Sequence, residues 1–414
     1  MSDVPLVSIV IPVWNLWDMT SACLHALAEH TAGEDVEVIV VDNHSTDATV
    51  TELENLGASL FGPSFRAVRM TENAGFARGC NAGAAAATGG LLFFLNNDTV
   101  ATPGWLPPLR EVMADGRVGA AGPLLLYPDD TIQHCGIFVT PFCRVGHLYE
   151  RLPATFAPAR RSHELKAITG AAMMLRKEVF TDCGGFCEDY HNGFEDMDLC
   201  LALHARGLKL RVEARSVIYH HASQTPGRFR HDIDNGKLFF QRWRGALRPD
   251  QHLLAAGDGY RLRLGPTLDS WLSAPDARQQ ELNSAVTRPA FNARVCGTLL
   301  EKEPLWRDGW FLLADWLEQQ GRAGEALDLL MSCWWLFPEE RTYAAVLRLH
   351  AALGRPPDAE MLRRLREERT ADLTGNAAVV RQARSMAVGV GDMLLAELFD
   401  GWLARYAPRD ESGQ

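Results

Sequence analysis

The chain has 414 residues, of which 47% are hydrophobic and 22% charged, and its formal net charge is -11. This length exceeds one ordinary hydrophobic core and predicts at least two domains. The negative charge argues against nucleic-acid binding, and no apolar run reaches the roughly 18 residues of a membrane span. Nine scattered cysteines without a Cys-x-x-Cys pair predict reduced thiols and no zinc site.

Strand-like and helix-like segments alternate through the first hundred residues. Short apolar or β-branched runs predict strands at 7–13, 37–42, 65–70 and 91–95. Apolar residues at helical spacing predict helices at 16–30, 47–56 and 76–88. This alternation predicts an α/β domain with a mostly parallel sheet and helices on both faces.

Polar residues follow these strands. Asn15, Asp42 and Asp98 each come just after a strand end, and Asp98 is preceded by Asn96 and Asn97. Because parallel strands end at one edge of a sheet, these side chains should meet where α/β sheets bind ligands. No glycine-rich phosphate loop follows a strand, which favours a divalent metal on a diphosphate at Asp98. The alternative is that the Asn-Asn-Asp triplet only forms a turn.

The pattern continues to about residue 250. Further strands are predicted at 118–127, 136–140, 168–175 and 208–221, and residues 141–163 form a candidate acceptor-side lid. A helix over 195–206 carries Glu195, Asp196 and Asp198 in its first turn. These acids could simply stabilise the helix dipole, but three together after a glycine turn favour a catalytic role for at least one.

Histidine and arginine residues cluster after the last strand. His220 and His221 end that strand, and either imidazole could complete a metal shell at Asp98, although such pairs are more often surface residues. Arg228, Arg230 and Lys237 follow in a segment suited to phosphates, or form a solvated basic surface.

The last third lacks predicted strands. We divide the chain into domains at 1–250 and 301–414, with a helical linker at 251–300. Gly321-Arg322 recurs as Gly354-Arg355 after 33 residues, and apolar spacing around it resembles a short, degenerate tetratricopeptide array. Such a helical domain would bind a protein partner, mediate self-association or only buttress the first domain. Exposure of Trp334 and Trp335 would favour a contact surface.

Several motifs, in this order, resemble inverting family 2 glycosyltransferases of the GT-A fold, nearest to rhamnosyltransferase-like members. The resemblance spans roughly residues 5–245. Its carriers are VSIVIPVWN (7–15), VDNHSTD (41–47), ENAGFARGCNAG (72–83), LNNDT (95–99), TGAA (169–172), GFEDMDL (193–199) and HHAS (220–223).

The resemblance implies roles for individual residues. Asp98 with His220 or His221 would meet Mg²⁺ or Mn²⁺, and Asp196, with Glu195 beside it, would supply the general base. The donor nucleotide and its diphosphate would be held by Pro12, Asn15, Asp42, Asn73, Arg78, Asn97, Arg228 and Arg230. The family's metal motif is often Asp-x-Asp, whereas this chain offers Asn96-Asn97-Asp98, with one carboxylate.

The function expected on these grounds is transfer of a sugar from a UDP-, dTDP- or GDP-sugar. The acceptor would be a surface polysaccharide, a lipid-linked glycan or a protein glycan. A catalytically silent adaptor and a nucleotidyltransferase are the alternatives; the latter needs a glycine- and lysine-rich loop after the first strand, which Trp14-Asn15-Leu16-Trp17 does not provide. Without a signal peptide pattern, a cytoplasmic location is expected, or one peripheral to the inner face of the membrane.

Overall fold

The computed structural model describes residues 6–221 and 230–408. The chain divides into two compact units. The first comprises the residues up to Phe138 together with Val145–Leu247, and the second comprises Val139–Arg144 together with the residues from Arg248 onward. Within the described residues, no helix is both long and apolar enough to cross a bilayer.

The strands as far as His220 are β1 (Val7–Val13), β2 (Val36–Asp42), β3 (Phe65–Arg69), β4 (Leu91–Leu95), β5 (Thr99–Ala101), β6 (Val118–Leu126), β7 (Ile132–His134), β8 (Ile137–Val139), β9 (Val145–His147), β10 (His163–Leu165), β11 (Ala172–Arg176) and β12 (Lys209–His220). The helices of this unit are α1 (Trp17–His30), α2 (Thr49–Phe61), α3 (Gly75–Ala86), α4 (Leu106–Met113), α5 (Lys177–Asp182), α6 (Glu195–Ala205) and α7 (Asp232–Trp243).

One mixed sheet forms the centre of the first unit. Its strand order is β10-β12-β6-β11-β4-β1-β2-β3, with β5 beside β12 and β7 beside β6. Strands β3, β2, β1 and β4 are parallel, as expected, whereas β11 runs antiparallel to both β4 and β6. The α/β class is confirmed, and the sheet is mixed because β11, β10, β5 and β7 run antiparallel to the strands they pair with.

Both faces of the sheet are covered because side chains alternate along each strand. On one face, Ile9 and Ile11 of β1 share a core with Leu24 of α1, Leu53 of α2 and Trp105 just before α4. On the other face, α3 approaches so closely that a Cβ added at Gly83 would lie 2.3 Å from the side chain of Val10. The alanine-rich and glycine-rich composition of α3 thus follows from its close packing on β1.

The segment predicted as a lid at residues 141–163 is ordered. It contains β9 and a short 3₁₀ helix at Ala157–Arg160. Within it, Leu148, Tyr149, Leu152 and Phe156 are buried, so these four side chains belong to the core.

The second unit is mainly helical. Its elements are α8 (Gln251–Gly257), β13 (Arg261–Leu264), β14 (Ser270–Ser273), α9 (Asp276–Thr287), α10 (Ala293–Lys302), α11 (Arg307–Gln319), α12 (Ala323–Met331), α13 (Glu340–Ala352), α14 (Ala359–Arg369), α15 (Leu373–Gly389) and α16 (Met393–Tyr406). The strands β13 and β14 form an antiparallel hairpin inside the segment predicted as a purely helical linker.

Helix pairs make up most of the second unit. Helix α11 packs on α12, α13 on α14 and α15 on α16. The turn within each pair contains a glycine with positive φ: Gly321 (74°), Gly354 (62°) and Gly391 (77°). Glycine adopts this left-handed conformation without steric cost, which explains the recurring Gly-Arg signal in the sequence. Trp334 and Trp335 are partly buried in this unit and do not form an exposed pair.

Candidate active site

Four strands bring polar residues to one edge of the sheet. Val13 of β1 lies opposite Asp42 of β2, and Val10 lies opposite Phe94 of β4, so the carboxyl ends of these strands are adjacent. Because β11 is antiparallel, its beginning reaches the same edge, where the Asn96 amide donates to the Ala171 carbonyl at 2.9 Å.

A cavity of about 290 Å³ opens at this edge. It combines residues at or just after the ends of β1, β2, β3 and β4 with residues from five later segments. Its lining residues are Pro12, Val13, Trp14, Asn43, Asn73, Gly75, Phe76, Asn96, Gln133, His147, Thr169, Gly170, Ala171, Asn192, Glu195, Asp196 and His220.

The pairing of β5 with β12 brings His220 to Asp98. His220 is the register partner of Thr99, the residue after Asp98. The Nε2 atom of His220 therefore lies 3.2 Å from Oδ1 of Asp98, and both side chains are buried. Among the described residues this Oδ1 makes no hydrogen bond. A buried carboxylate oxygen without a donor is a costly arrangement unless a cation meets it.

The protonation state of His220 supports a cation at this point. Its Nδ1 lies 3.2 Å from Oε1 of Gln133, an acceptor, so Nδ1 carries the proton. Its Nε2 then presents a lone pair, towards which the Asn96 amide nitrogen also points at 3.5 Å. Two lone pairs, on His220 Nε2 and Asp98 Oδ1, thus face one position, and the hydrogen bond to Gln133 fixes the ring.

This donor set fits a divalent metal that obtains its other ligands elsewhere. Among residues 6–221 and 230–408, no group of three or more His, Cys, Asp and Glu side chains could hold a metal ion. Mg²⁺ commonly binds through one or two protein ligands together with substrate phosphates and water. Asp98 and His220 supply that minimal pair.

Burial alone would raise the pKa of Asp98, but it is outweighed by a hydrogen bond and positive charge from His220 in its protonated form, together with the charge of a protonated His221. The pKa of Asp98 is therefore lower than its ordinary value. The carboxylate is accordingly ionised at neutral pH, as a metal ligand must be.

Asp196 lies on another wall of the same cavity, at the start of α6. Its Oδ2 accepts the Gly170 amide and its Oδ1 accepts the Met197 amide, both at 2.8 Å. A Cβ on residue 170 would lie 3.1 Å from the Asp196 side chain, so a larger residue there would displace the carboxylate slightly. Two backbone amides thus orient the carboxylate while each oxygen keeps a lone pair for a substrate hydroxyl.

The other two acids of this helix turn are arranged differently. Glu195 lines the cavity but is buried, and its Oε2 accepts the Gly193 amide at 2.6 Å. Asp198 does not line it; its Oδ1 accepts Tyr190 Oη at 3.0 Å and Trp243 Nε1 at 2.7 Å. Asp198 therefore anchors α7 to α6.

The predicted donor-binding residues divide into two groups. Pro12 and Asn73 line the cavity. The side chains of Asn15, Asp42 and Arg78 are engaged outside the cavity lining. Asn15 Oδ1 accepts the Thr46 amide at 2.7 Å, Asp42 Oδ2 accepts Arg69 Nη1 at 2.5 Å, and Arg78 Nε lies 3.1 Å from Glu188 Oε2.

Four further predicted residues also lie outside the lining or the described chain. The amide of Asn97 donates to Thr20 Oγ1 at 2.9 Å and so fixes the turn after β4 to α1. The backbone amide of His221 donates to the Asp98 carbonyl at 3.0 Å while its side chain is exposed. Arg230 is exposed, and Arg228 lies outside the described residues.

Several cavity residues carry no recognisable sequence signal. Gln133 and His147 come from β7 and β9, strands of three residues each that periodicity does not detect. Asn43 lies within the quoted motif around Asp42 and its side chain holds the loop before α3 by accepting the Ala74 amide and donating to the Gly75 carbonyl, both at 2.9 Å. A motif position could have identified Asn43, whereas Gln133 and His147 required coordinates.

A larger cavity of about 1090 Å³ lies at the opposite edge of the sheet, beside Gly90 and Leu91 at the start of β4. Its cationic side chains already donate hydrogen bonds to backbone carbonyls. Arg176 donates to three carbonyls, including Val118 O at 2.6 Å, and Lys177 donates to Ala87 O at 2.5 Å. The smaller cavity, which combines a carboxylate with imidazoles, is therefore the better candidate for chemistry.

Part of the chain is similar to known proteins. Residues 8–184 match the family model described as Glycosyl transferase family 2. The part of the first unit within these bounds is therefore similar to proteins of that family. The chain is 34% identical over 227 residues to O-antigen biosynthesis protein RfbC of Myxococcus xanthus, which covers 53% of the chain and 17% of that protein.

Two further proteins are similar to this chain. The pre-mycofactocin glycosyltransferase of Mycobacterium tuberculosis is 29% identical over 216 residues, covering 52% of the chain and 42% of that protein. A structure of GalNAc-T7 with UDP, GalNAc and Mn²⁺ has a TM-score of 0.47 and 16% identity, covering 61% of the chain and 54% of that structure. The chain thus spans less than half the length of the two curated relatives.

Proposed function

We propose that the first unit transfers a sugar from a nucleotide-sugar donor to an acceptor hydroxyl by a single displacement with inversion. The observation that supports this most strongly is that one cavity contains both a candidate general base and a candidate metal ligand. Asp196 and His220 both line it, and Oδ1 of Asp98 lies 3.2 Å from His220 Nε2.

Asp98 and His220 hold the diphosphate end of the donor in this proposal. A divalent metal, Mg²⁺ or Mn²⁺, bound there would neutralise the charge that develops on the leaving diphosphate. The described chain offers a single carboxylate and one imidazole at that point. We therefore expect metal affinity to be weak without the donor and to rise when the diphosphate supplies further oxygen ligands.

Asp196 acts as the general base. Its carboxylate removes the proton from the acceptor hydroxyl, and the hydroxyl oxygen attacks the anomeric carbon from the face opposite the diphosphate. The bond from the anomeric carbon to the diphosphate breaks, and its electron pair leaves with the diphosphate oxygen. One displacement of this kind inverts the anomeric configuration. Glu195 beside Asp196 supports the turn that holds it, through the Gly193 amide.

The nucleotide end of the donor would lie along the loops after β1, β2 and β3. Pro12 and Asn73 line the cavity on this side. Asp42 and Arg78 follow the family pattern for base and ribose, and they would have to exchange Arg69 and Glu188 for the ligand. Asn15 and Asn97 support these loops, and Arg228 and Arg230 are the proposed diphosphate contacts from the segment after β12.

The similarity to an O-antigen biosynthesis protein favours a glycan acceptor, such as a surface polysaccharide or a lipid-linked glycan, over a protein. A rhamnosyl or other hexosyl donor fits the sequence resemblance. In this reading the reaction occurs in the cytoplasm or at the inner face of the membrane. The paired helices of the second unit would bind a partner in the manner of tetratricopeptide repeats.

A panel of UDP-, dTDP- and GDP-sugars tests the proposed reaction. With Mn²⁺ and a glycan acceptor, the protein should release the nucleoside diphosphate from one class of donor, and mass spectrometry should show the glycosylated acceptor. Release of pyrophosphate would instead indicate a nucleotidyltransferase, and turnover of no donor would support a silent adaptor. Either result overturns the proposal.

A further inference from the structure

A second pair of histidines lies in the first unit, apart from the pair at the end of β12. His134 ends β7 and is fully buried, and His147 ends β9 and is half-buried. Their Nδ1 atoms are 2.7 Å apart, and the two rings lie at 76° to each other. At this distance one Nδ1 must donate a proton and the other must accept it.

The backbone determines which ring is the donor. The amide of Thr169 donates to Nε2 of His134 at 3.3 Å, so this nitrogen carries a lone pair. Neutral His134 must then be protonated on Nδ1, and it donates that proton to Nδ1 of His147. Neutral His147 is consequently protonated on Nε2. The hydrogen bonds run in one direction, from Thr169 through His134 to His147.

Burial favours neutral rings at both positions. It lowers the pKa of His134 well below the ordinary value, and it lowers the pKa of His147 although Glu150 and Asp196 oppose the shift. A neutral His147 with its proton on Nε2 has no free lone pair on its ring. His147 is therefore a hydrogen-bond donor and is unsuited to bind a metal ion.

Since Nδ1 of His147 meets His134, Nε2 is the ring nitrogen that remains to contact a ligand in the cavity that holds the proposed chemistry. His147 lines that cavity together with Asp196, His220 and Thr169. In a single displacement the anomeric carbon lies between the diphosphate site and the general base. Because Asp196, His220 and His147 all line this one cavity, the Nε2–H group of His147 is placed to donate a hydrogen bond to the sugar being transferred.

We propose that His147 donates its Nε2 proton to one hydroxyl of the transferred sugar and so selects the donor, and that His134 is the positioning residue that fixes this tautomer. The inference rests on the proposed glycosyl transfer. Neither histidine has a role in the proposed proton transfer or leaving-group chemistry.

Donor analogues that each lack one sugar hydroxyl test the inference. For one ring position, the wild-type protein should lose about tenfold in kcat/KM, the effect of one hydrogen bond. His147→Ala should lose about the same factor with the intact donor and should no longer distinguish that analogue. His147→Gln, which keeps an amide donor, should recover part of the discrimination. His25→Ala, an exposed histidine of α1, is the matched control and should behave as wild type.

Nitrogen NMR of ¹⁵N-histidine-labelled protein tests the tautomers without any turnover. We expect Nδ1–H for His134 and Nε2–H for His147, and His134→Phe should leave His147 in a mixture of tautomers. Nδ1–H at His147 in the wild-type protein would overturn the inference.

The outcomes of the kinetic test are separable. If the wild-type protein turns over no nucleotide sugar, the proposed function fails. If it does turn over a donor and His147→Ala still discriminates every analogue as wild type does, the role of His147 fails while the proposed function stands.

Discussion

Asp196 and Asp198 lie in the same turn of α6 but have different roles because their surroundings differ. Asp196 faces the cavity and is held by two backbone amides, whereas Asp198 is buried against Tyr190 and Trp243. Residues two positions apart on a helix point to different sides, so this division follows from helix geometry. The sequence could predict that this turn matters. It could not predict which acid faces the cavity, because that depends on how α6 packs.

Replacing Asp196 with asparagine should separate donor binding from transfer. Loss of the general base is expected to lower kcat by about 10²- to 10⁴-fold, while calorimetry should show donor binding close to that of wild type. Asp198→Asn is the matched control. It should lower the unfolding temperature by weakening the contacts to Tyr190 and Trp243, and leave the kcat of the folded protein within severalfold of wild type. Wild-type transfer by Asp196→Asn would remove Asp196 from this role.

Glu368 in α14 gives the second unit a pH-dependent stability. Burial, reinforced by the carboxylates of Asp269, Glu339 and Glu340, raises its pKa from an ordinary 4.5 to about 7. Between these values the folded state holds a proton that the unfolded state has released. The resulting stability is complete below the unfolded pKa and is lost as the pH rises through about 7.

Glu368→Gln should therefore be more stable than wild type at pH 8.5 and no more stable near pH 4. Because Glu368 is partly exposed, we reduce the expected gain to about 1 kcal/mol, or roughly 2–4 °C in unfolding temperature. Thermal unfolding followed by circular dichroism at both pH values measures it. The neighbouring Glu367→Gln only removes an exposed pair with Arg363 and should show no such pH dependence. Equal effects of the two variants at pH 8.5 would contradict the assignment.

At the scale of elements, the predicted strands with strong apolar patterns were found, and the shortest strands were not. The segments at β1, β2 and β4 are continuous β-branched or apolar runs, and such runs identify buried strands. Strands β5, β7 and β9 have three residues each, too few to show a period, and their positions are set by pairing with distant strands. The pairing of β5 with β12 brings His220 to Asp98. From the sequence we could therefore predict only that these side chains lie at the same edge of the sheet, and not that they are in contact.

The residues that cap α15 and α16 should contribute unequally to the free energy of unfolding. Asp372 caps α15 through the Gly375 amide at 2.9 Å, and Asp392 caps α16 through the Leu395 amide at 3.1 Å. Only Asp392 also meets a buried imidazole, His252 Nε2, at 2.8 Å. Asp372→Ala should cost about 1 kcal/mol, and Asp392→Ala about 2–4 kcal/mol because it also leaves His252 without its partner.

Chemical denaturation of the two cap variants checks this difference. In a His252→Phe background the cost of Asp392→Ala should fall to about that of a cap alone, roughly 1 kcal/mol. Equal costs for Asp372→Ala and Asp392→Ala in the native background would show that the His252 contact contributes nothing.

At the scale of the molecule, the sequence predicts a change from an α/β to a helical region near residue 250. The structure changes unit between Leu247 and Arg248. It also assigns Val139–Arg144 to the second unit, which no composition signal marks because the segment is short. The hairpin of β13 and β14 was likewise missed, since its strands have four residues each. Sequence patterns alone do not predict segments whose conformation depends on long-range contacts.

The central claim concerns one point, where Asp98 and His220 meet a metal-bound donor diphosphate. Isothermal titration calorimetry of the active nucleotide sugar, with Mn²⁺ and with a chelator, measures it directly for wild type, Asp98→Asn and the exposed control Asp182→Asn. We predict that Mn²⁺ tightens donor binding by at least about tenfold in wild type and Asp182→Asn, equivalent to about 1.4 kcal/mol, and leaves it unchanged in Asp98→Asn. An equal gain with Mn²⁺ in Asp98→Asn would contradict the account.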